Sequence, residues 1–232
     1  MKVLIAISIS REWVETEFLQ QMLSWHIPPK YQVKFGWFRQ FTAAERHNIS
    51  VHEAKWNYDR ILFFDTDQIY PPEYIEMMLA HDEPVVTALN VSRYHPYEFT
   101  TYDLDGVDDY EGTKVPRFKS VKPPGGKKTF ECDLTGTGAM MLDPAILDKL
   151  ELPYFKDVYD KEGCRRLIPD DFYFCWQLSK AGVKITVDQS IIVQHTAKLS
   201  ASPFNTHDLR QAWVKINSGH GIWKDGVSNA IK

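Results

Sequence analysis

Residues 60–67 read Arg-Ile-Leu-Phe-Phe-Asp-Thr-Asp, an unbroken apolar run that ends in two carboxylates one residue apart. The run predicts a short strand covered on both faces, as in a parallel sheet flanked by helices. In such a sheet, ligands bind beyond the carboxyl ends of the strands. Asp65 and Asp67 offer the hard oxygen atoms that Mg²⁺ and Mn²⁺ prefer. An Asp-x-Asp turn alone is more often an ordinary surface turn, but a buried strand that delivers both carboxylates favours a ligand site.

The segments on either side of this stretch alternate between strand patterns and helix patterns. The alternating segments are residues 2–9, 11–25, 31–38, 42–56, 60–64, 71–80 and 84–89. Thr42-Ala43-Ala44-Glu45 has the form of a capping box and predicts where the second helix begins. The alternation predicts an α/β fold built on one mostly parallel sheet with helices on both faces.

The pattern changes after residue 91. Residues 92–130 combine short polar strand patterns with Gly and Pro, which predicts hairpins and a mobile loop over 122–128. Further elements are predicted as strands over 139–142, 183–187 and 191–193, and as helices from Pro144, over 170–181 and over 206–217. Because there is no internal repeat and no clear linker, we expect one domain over 1–232, divided into 1–91, 92–200 and a tail over 201–232.

The composition sets broad limits on function. The chain has 232 residues, a net charge of −4 and no long basic run, which argues against nucleic acid as the main partner. Three cysteines without a CxxC pair favour a reduced protein, and we expect a cytoplasmic location. The apolar start of the chain is interpreted as a strand rather than a signal peptide. The sequence lacks the run of about 18 apolar residues that predicts a transmembrane helix.

Two further sites carry groups with metal or acid-base chemistry. His195 follows the apolar run 191–193, so it is either a further metal ligand or a sheet-edge histidine bound to backbone. Taken alone, the second interpretation is the more frequent one. Asp170-Asp171 opens a predicted helix, where the pair either caps the helix or supplies a general base that deprotonates an acceptor hydroxyl. The sequence leaves these two roles open.

Weaker candidates lie elsewhere. Gly136-Thr137-Gly138 lets the backbone approach a ligand closely, although an ordinary turn has the same composition. Arg46 and Asn48 lie on a predicted helix, where a solvated face is the simpler interpretation. Lys198 is a candidate phosphate contact, although single lysines are usually only solvated.

Taken in order, these segments resemble glycosyltransferases of the GT-A fold, close to the family-2-like enzymes of bacteria, archaea and phages. The resemblance extends from residue 1 to about residue 198. The matching segments are Ala44-Glu45-Arg46-His47-Asn48 for the Arg-Asn helix motif, Leu62-Phe63-Phe64-Asp65-Thr66-Asp67 with Pro71-Pro72 for the metal-binding DxD motif, residues 133–142 for the glycine-containing acceptor-side segment, residues 169–175 for the acidic pair, and Gln194-His195 for the late metal histidine.

This resemblance implies metal-dependent transfer of a sugar from a nucleotide-diphosphate sugar to the hydroxyl of a carbohydrate or other acceptor. It implies Mn²⁺ or Mg²⁺ held by Asp65, Asp67 and His195, and a general base at Asp171 with Asp170 as the alternative. The implied donor contacts are Ile7, Ser8, Arg11, Arg46, Asn48, Asp65, Thr66 and Lys198, and the implied acceptor contacts are Arg93, Gly136, Thr137 and Gly138. Residues 1–91 are then the nucleotide-sugar-binding half and residues 92–200 the acceptor-side half, and 201–232 form a C-terminal tail.

The resemblance leaves several choices open. The family's acidic turn after the second strand, which reads uracil, is replaced here by Gly36-Trp37-Phe38-Arg39-Gln40, which contains no acid. The choice between a UDP-sugar and a GDP-sugar as the donor therefore stays open. Inversion is expected, whereas a retaining enzyme would use the same metal site without the base. A sugar-phosphate nucleotidyltransferase is disfavoured because residues 8–12 contain no glycine-rich loop. A non-catalytic nucleotide-sugar-binding module of the same fold is the third class.

Overall fold

The computed structural model describes residues 1–10, 14–92 and 98–196. The predicted site residues Arg11, Arg93 and Lys198 lie outside these ranges, as does the predicted helix over 206–217.

Strands and helices alternate over the first 90 residues, and strands dominate the rest of the described chain. The strands are β1 (Lys2–Ser8), β2 (Gln32–Phe38), β3 (Arg60–Asp65), β4 (Gln68–Ile69), β5 (Val85–Asn90), β6 (Tyr102–Tyr110), β7 (Thr113–Ser120), β8 (Thr129–Cys132), β9 (Met140–Leu142), β10 (Val158–Tyr159), β11 (Arg166–Ile168) and β12 (Ile185–His195). The helices are α1 (Thr16–Met22), α2 (Ala43–Asn57), α3 (Tyr74–Met78) and α4 (Asp170–Lys180), with a 3₁₀ helix over Pro144–Lys149.

Eight strands form the central sheet, in the order β2-β1-β3-β9-β5-β12-β4, with β8 also pairing with β12. The pairs β1–β2, β1–β3 and β5–β12 are parallel, so the sheet has the mostly parallel core that the alternation predicts. Pairs made by β9, β4 and β8 are antiparallel. The carboxyl ends of β1, β3, β5 and β12 therefore meet at one edge of the sheet.

Both faces of the central sheet are covered, as the apolar runs predict. On one face, Leu4 of β1 and Phe63 of β3 share a core with Val51 of α2. On the other face, Ile5 of β1 shares a core with Phe18 of α1. Every residue from 61 to 64 is at most 2% exposed. The Asp65-Thr66-Asp67 turn therefore follows directly on a strand that is covered on both faces, as the apolar run predicts.

The observed elements differ from the predicted ones in three respects. The strand β9 runs antiparallel between β3 and β5, so a segment of the second half of the chain completes the sheet of the first half. The two strands predicted over 183–187 and 191–193 are one strand, β12, with an irregularity between Asp188 and Ile192. The helices predicted over 11–25 and 71–80 are shorter, as α1 and α3.

The start of α2 matches the predicted capping box. The Thr42 hydroxyl accepts a hydrogen bond from the Glu45 amide (3.1 Å), and the Thr42 amide donates to the Glu45 carboxylate (3.1 Å). Two backbone donors that would lack helical partners are thereby satisfied. The cap fixes the first turn of α2, which carries Arg46 and His47 to the sheet edge.

The hairpin β6–β7 forms a separate two-stranded sheet. It joins the rest of the fold at its base, where the Tyr102 amide donates to the Leu134 carbonyl (2.9 Å). The Asp133 carboxylate accepts from the Leu104 amide (2.9 Å), and the Phe118 ring packs on Phe172 of α4 at 5.4 Å between centroids. The far turn contains Gly112 at φ 85°, a backbone conformation that glycine adopts at little cost.

Within the described ranges, no helix has the length and apolar character needed to cross a membrane. The three cysteines are free thiols, with Cys132 and Cys175 buried and Cys164 exposed.

Candidate functional site

A cleft of about 450 Å³ opens at the carboxyl edge of the central sheet. Strands β1, β3, β5 and β12 end at it, and the first turns of α2 and α4 border it. The predicted site residues that line it are Ser8, Arg46, Asp65, Thr66, Asp67, Gly136, Thr137, Gly138, Asp170, Asp171 and His195. Groups predicted separately as metal, donor and base residues thus share one cleft.

The turn Asp65-Thr66-Asp67 is held from below by the buried Tyr70 side chain. The Tyr70 hydroxyl accepts a hydrogen bond from the Asp65 amide (2.8 Å) and has the Gly138 carbonyl as its nearest acceptor (2.6 Å). The Asp67 carbonyl accepts from the Thr196 amide (2.8 Å), which ties the turn to the end of β12. The turn is therefore fixed on both sides.

The Asp65 carboxylate is packed against Gly138. A Cβ at position 138 would overlap Asp65 Oδ2 and lie 2.8 Å from Asp65 Cγ, so a larger residue would displace the carboxylate. Burial raises the pKa of Asp65, and the nearby charge of Asp67 raises it further. Because the two negative carboxylates repel each other, a bound cation beside them would be favourable.

His195 is held by hydrogen bonds at both ring nitrogens. Nδ1 donates to the Val91 carbonyl (2.5 Å), and Nε2 lies 2.9 Å from the amide nitrogen of Gln68. The imidazole lone pair that would bind a metal is therefore occupied by Gln68. Among the described residues, no group of three His, Cys, Asp or Glu side chains is arranged to hold a metal ion. The predicted three-residue metal site is thus not assembled, although its members line one cleft.

Arg46 joins α2 to the end of β1. Its Nε donates to the Ser8 hydroxyl (2.7 Å), and its Nη1 donates to the Gln40 carbonyl (2.9 Å). Arg46 is only 6% exposed, and the interpretation of this position as a solvated helix face is wrong. Its charge faces the cleft that also holds the carboxylates.

Two predicted donor residues do not line the cleft. Ile7 is a residue of β1 whose side chain is fully buried in the core that also contains Phe18, so the side chain offers no ligand contact. Both polar atoms of the Asn48 side chain bind the backbone of Phe155, at 2.7 Å and 3.1 Å. Asn48 therefore anchors the segment before β10, and its position on α2 reflects packing.

Asp170 and Asp171 occupy the first two positions of α4, and the residue before them, Pro169, makes no side-chain cap. The N-cap is therefore Pro169 and neither aspartate, whereas both acidic side chains lie in the first turn, where the helix dipole favours negative charge. Asp170 is buried, and its Oδ2 lies 2.8 Å from Nδ1 of His47, which donates to it. This contact commits the Asp170 carboxylate to a structural partner.

Asp171 also lines the cleft, and its two carboxylate oxygens have different surroundings from those of Asp170. Oδ1 accepts from the Phe172 amide (2.8 Å), whereas Oδ2 is the atom nearest to Gly136, 3.9 Å from where its Cβ would lie. Burial and the neighbouring charge of Asp170 raise the pKa of Asp171 to about 7. A carboxylate with this pKa is suited to accept a proton near neutral pH.

The Gly136-Thr137-Gly138 segment connects the two acidic sites. Gly136 lies beside Asp171, and Gly138 lies beside Asp65. Thr137 and Gly138 form a bend and a turn, in which the Met140 amide donates to the Thr137 carbonyl (3.2 Å). The segment therefore sets a short, fixed separation between the two acidic sites.

His47 and Gln68 are site residues that the sequence reasoning missed. His47 shares the inward face of α2 with Val51 and Ala54, so a polar residue on an apolar stripe was the available signal. Its Nε2 is buried without a hydrogen-bond partner among the described residues. Gln68 follows the carboxylate turn directly and is only 2% exposed, but a glutamine there carries no sequence signal.

No protein-family model matches the chain, and no curated protein matches it. Solved structures do. A197 from STIV is 16% identical with a TM-score of 0.55, over 85% of this chain and 87% of that chain. GalNAc-T7, crystallised with UDP, GalNAc and Mn²⁺, is 12% identical with a TM-score of 0.55, over 92% of this chain and 47% of that one. S. aureus TarS is 15% identical with a TM-score of 0.50, over 94% of this chain and 40% of that one.

These likenesses concern the fold. The chain spans most of A197 but less than half of the GalNAc-T7 and TarS chains. They show a mixed α/β fold of the GT-A type found in glycosyltransferase structures, and the predicted fold class is confirmed.

Proposed function

We propose that this protein is a glycosyltransferase that uses a divalent cation to transfer a sugar from a nucleotide-diphosphate sugar to an acceptor hydroxyl. The observation that carries the proposal is the meeting of Asp65-Thr66-Asp67 and Asp171 in one cleft of a GT-A-type fold. Each acidic site alone has a structural explanation. Their juxtaposition, at the sheet edge where α/β folds bind ligands, favours a reaction between two bound substrates.

The carboxylates of the cleft fit a divalent cation better than they fit a free diphosphate. Asp65, Asp67, Asp170 and Asp171 all line the cleft, and a diphosphate beside them would be repelled. Mg²⁺ and Mn²⁺ bind one or two protein carboxylates and complete their shell with phosphate oxygens. When bound, the cation neutralises the departing diphosphate as a Lewis acid. GalNAc-T7, crystallised with UDP and Mn²⁺, is consistent with this chemistry.

The donor side of the cleft is assigned to Ser8, Arg46, Asp65 and Thr66. Arg46 is held at two points, by the Ser8 hydroxyl and the Gln40 carbonyl, so its charge is fixed in position before any ligand binds. A fixed cation loses little conformational entropy when it pairs with an anion. We assign Arg46 to the nucleotide-diphosphate portion of the donor.

Asp171 is assigned as the general base, and Asp170 as the residue that supports it. The Asp170 carboxylate is paired with His47, whereas Asp171 Oδ2 faces the Gly136 side of the cleft. Asp171 takes the proton of the acceptor hydroxyl, the acceptor oxygen bonds to the anomeric carbon, and the bond from that carbon to the diphosphate oxygen breaks. Attack from the face opposite the leaving group inverts the anomeric configuration.

A screen of nucleotide sugars tests this proposal. A donor at 100 times its Kd stabilises the native state by about 2.7 kcal/mol. For a chain of this size we expect a rise in Tm of about 5–10 °C, observed only when Mn²⁺ or Mg²⁺ is present. Hydrolysis or transfer of the selected donor then separates an enzyme from a binding module, and the anomeric configuration of the product separates inversion from retention. If no nucleotide sugar changes Tm with either cation, the proposal is wrong.

A further inference from the structure

Gln68 lies at the centre of the cleft floor, one residue beyond the Asp65-Thr66-Asp67 turn. Its amide nitrogen is 2.9 Å from His195 Nε2, and its amide oxygen accepts from the Tyr70 hydroxyl at 2.8 Å. A Cβ added to Gly138 would lie 2.7 Å from this amide nitrogen and would also overlap the Asp65 carboxylate. The Gln68 amide and the Asp65 carboxylate therefore border the same small space. The Gln68 amide therefore lies between His195 and Asp65.

The hydrogen bonds of His195 fix which of its nitrogens is available. Val91 presents a carbonyl oxygen to Nδ1, and a carbonyl only accepts, so Nδ1 carries the proton. In the neutral ring Nε2 then carries a lone pair, which accepts from the Gln68 amide. A metal ion bound to this histidine would use the same lone pair, with the Nδ1–H bond to a carbonyl fixing the ring.

We propose that Gln68 competes with the divalent cation for His195 Nε2, so that the cation gains its third protein ligand only when the Gln68 amide turns away. This inference rests on the proposed function. It explains why Asp65, Asp67 and His195 line one cleft without forming a metal-binding group among the described residues.

The surrounding hydrogen bonds allow Gln68 to leave. The Tyr70 hydroxyl has one proton, which the Gln68 amide oxygen (2.8 Å) and the Gly138 carbonyl (2.6 Å) share, and the Gly138 carbonyl remains as its acceptor when Gln68 turns away. His195 keeps its bond to Val91. Only the Gln68 amide itself loses partners, and the adjoining cleft of about 450 Å³ gives it room to bind water or substrate. Turning the amide away thus leaves no other buried polar group unpaired.

The affinity for Mn²⁺, measured by electron paramagnetic resonance of the free ion, tests the competition directly. One net hydrogen bond corresponds to a change of about fivefold in an equilibrium constant. We expect Gln68→Ala and Gln68→Ser to bind Mn²⁺ about fivefold more tightly than wild type. His195→Ala should bind more weakly, and in the Gln68→Ala/His195→Ala double variant the gain should disappear. Thermal unfolding identifies variants that do not fold, and two substitutions at position 68 protect the test from a folding failure of one.

Gln21 supplies a matched control. Its side chain also holds the strand β4, donating to the Gln68 carbonyl (2.9 Å) and accepting from the Tyr70 amide (2.8 Å), but no hydrogen bond joins it to His195. Gln21→Ala should therefore leave Mn²⁺ affinity unchanged. An equal gain in Gln21→Ala, or an unchanged or lower affinity in the Gln68 variants, would overturn the competition. If wild type binds no Mn²⁺, with or without UDP or GDP, the metal-dependent function itself is wrong, which is a separate result.

Discussion

Replacing each aspartate of the Asp170-Asp171 pair by asparagine separates catalysis from structure. Asn has the shape of Asp but cannot accept a proton at neutral pH. In Asp171→Asn the oxygen that accepts from the Phe172 amide is retained, and the oxygen beside Gly136 is replaced by the amide nitrogen, which only donates. General-base catalysis contributes about 10²–10⁴-fold. We therefore expect kcat to fall by about 10² or more, with donor Kd within about twofold of wild type.

Asp170→Asn should have the opposite profile. The Asp170 and His47 side chains are each 7% exposed and are joined at 2.8 Å. Loss of a charge-assisted hydrogen bond at a buried site costs about 1–3 kcal/mol. We expect the free energy of unfolding to fall by about that amount, while kcat of the folded fraction falls less than in Asp171→Asn.

The assay combines single-turnover transfer at saturating donor with urea unfolding of both variants. Isothermal titration with the donor shows whether the site remains intact. If Asp171→Asn transfers sugar at a rate within about threefold of wild type, the base assignment is refuted and retention without a base becomes the better mechanism. If Asp170→Asn alone loses transfer, the roles of the two residues are reversed.

The remaining predictions concern pH, the cleft wall and the cation. Because the pKa of Asp171 is raised to about 7, kcat/KM should rise with pH and level off above about pH 7, and Asp171→Asn should lack this limb. The same raised pKa means that the folded state holds its proton longer than the unfolded state does. The Asp171 contribution to the free energy of unfolding is thus present below about pH 4 and lost as pH rises to about 7, a slope of at most 1.36 kcal/mol per unit that a urea series on Asp171→Asn should flatten. Gly138→Ala should weaken Mn²⁺-dependent donor binding about tenfold or more because its Cβ overlaps Asp65, whereas Gly136→Ala, with 3.9 Å of clearance, should change donor Kd less than threefold. Asp67→Ala should abolish Mn²⁺-dependent nucleotide binding in titration calorimetry while circular dichroism shows an intact fold, and retained binding would remove Asp67 from the cation site.

The central strands were predictable because their burial leaves a direct mark on the sequence. A strand covered on both faces needs a continuous apolar run, and β1 and β3 each have one. The start of α2 was predictable because Thr42 and Glu45 satisfy each other's backbone donors, a local contact that the sequence spacing alone specifies.

The position of β9 was not predictable in the same way. Met140–Leu142 is apolar whether it pairs in parallel or antiparallel, and its neighbours β3 and β5 lie more than 50 residues upstream in the chain. The sequence pattern predicted two strands in place of β12 because a charged residue, Asp188, interrupts the apolar run, although its side chain is fully buried in the fold. In the fold, His81 and Ser190 bind its carboxylate and offset the cost of burying it.

For the site, the sequence placed Asp65, Asp67, Asp171 and His195 at one edge of the sheet, where they line one cleft, but it did not show how their side chains would pair. Spacing cannot tell which of two adjacent aspartates pairs with His47, because His47 comes from a distant helix. It also could not show that Gln68 would lie against His195, since the contact arises from the pairing of β4 with β12.

The attachment of the β6–β7 hairpin makes that part of the molecule modular. Its links to the central sheet and to α4 are made near Tyr102, Leu104 and Phe118, and the Arg165 guanidinium lies over the ring of Tyr110 at 5.9 Å from its centroid. A ribbon of another length or charge could replace residues 106–116 without shifting any strand of the central sheet. Since Phe118 packs on Phe172, next to Asp171, such a graft would change the surface beside the cleft while the donor-side residues stay in place. The surface beside the cleft can therefore be altered by exchanging one contiguous piece of chain, residues 106–116.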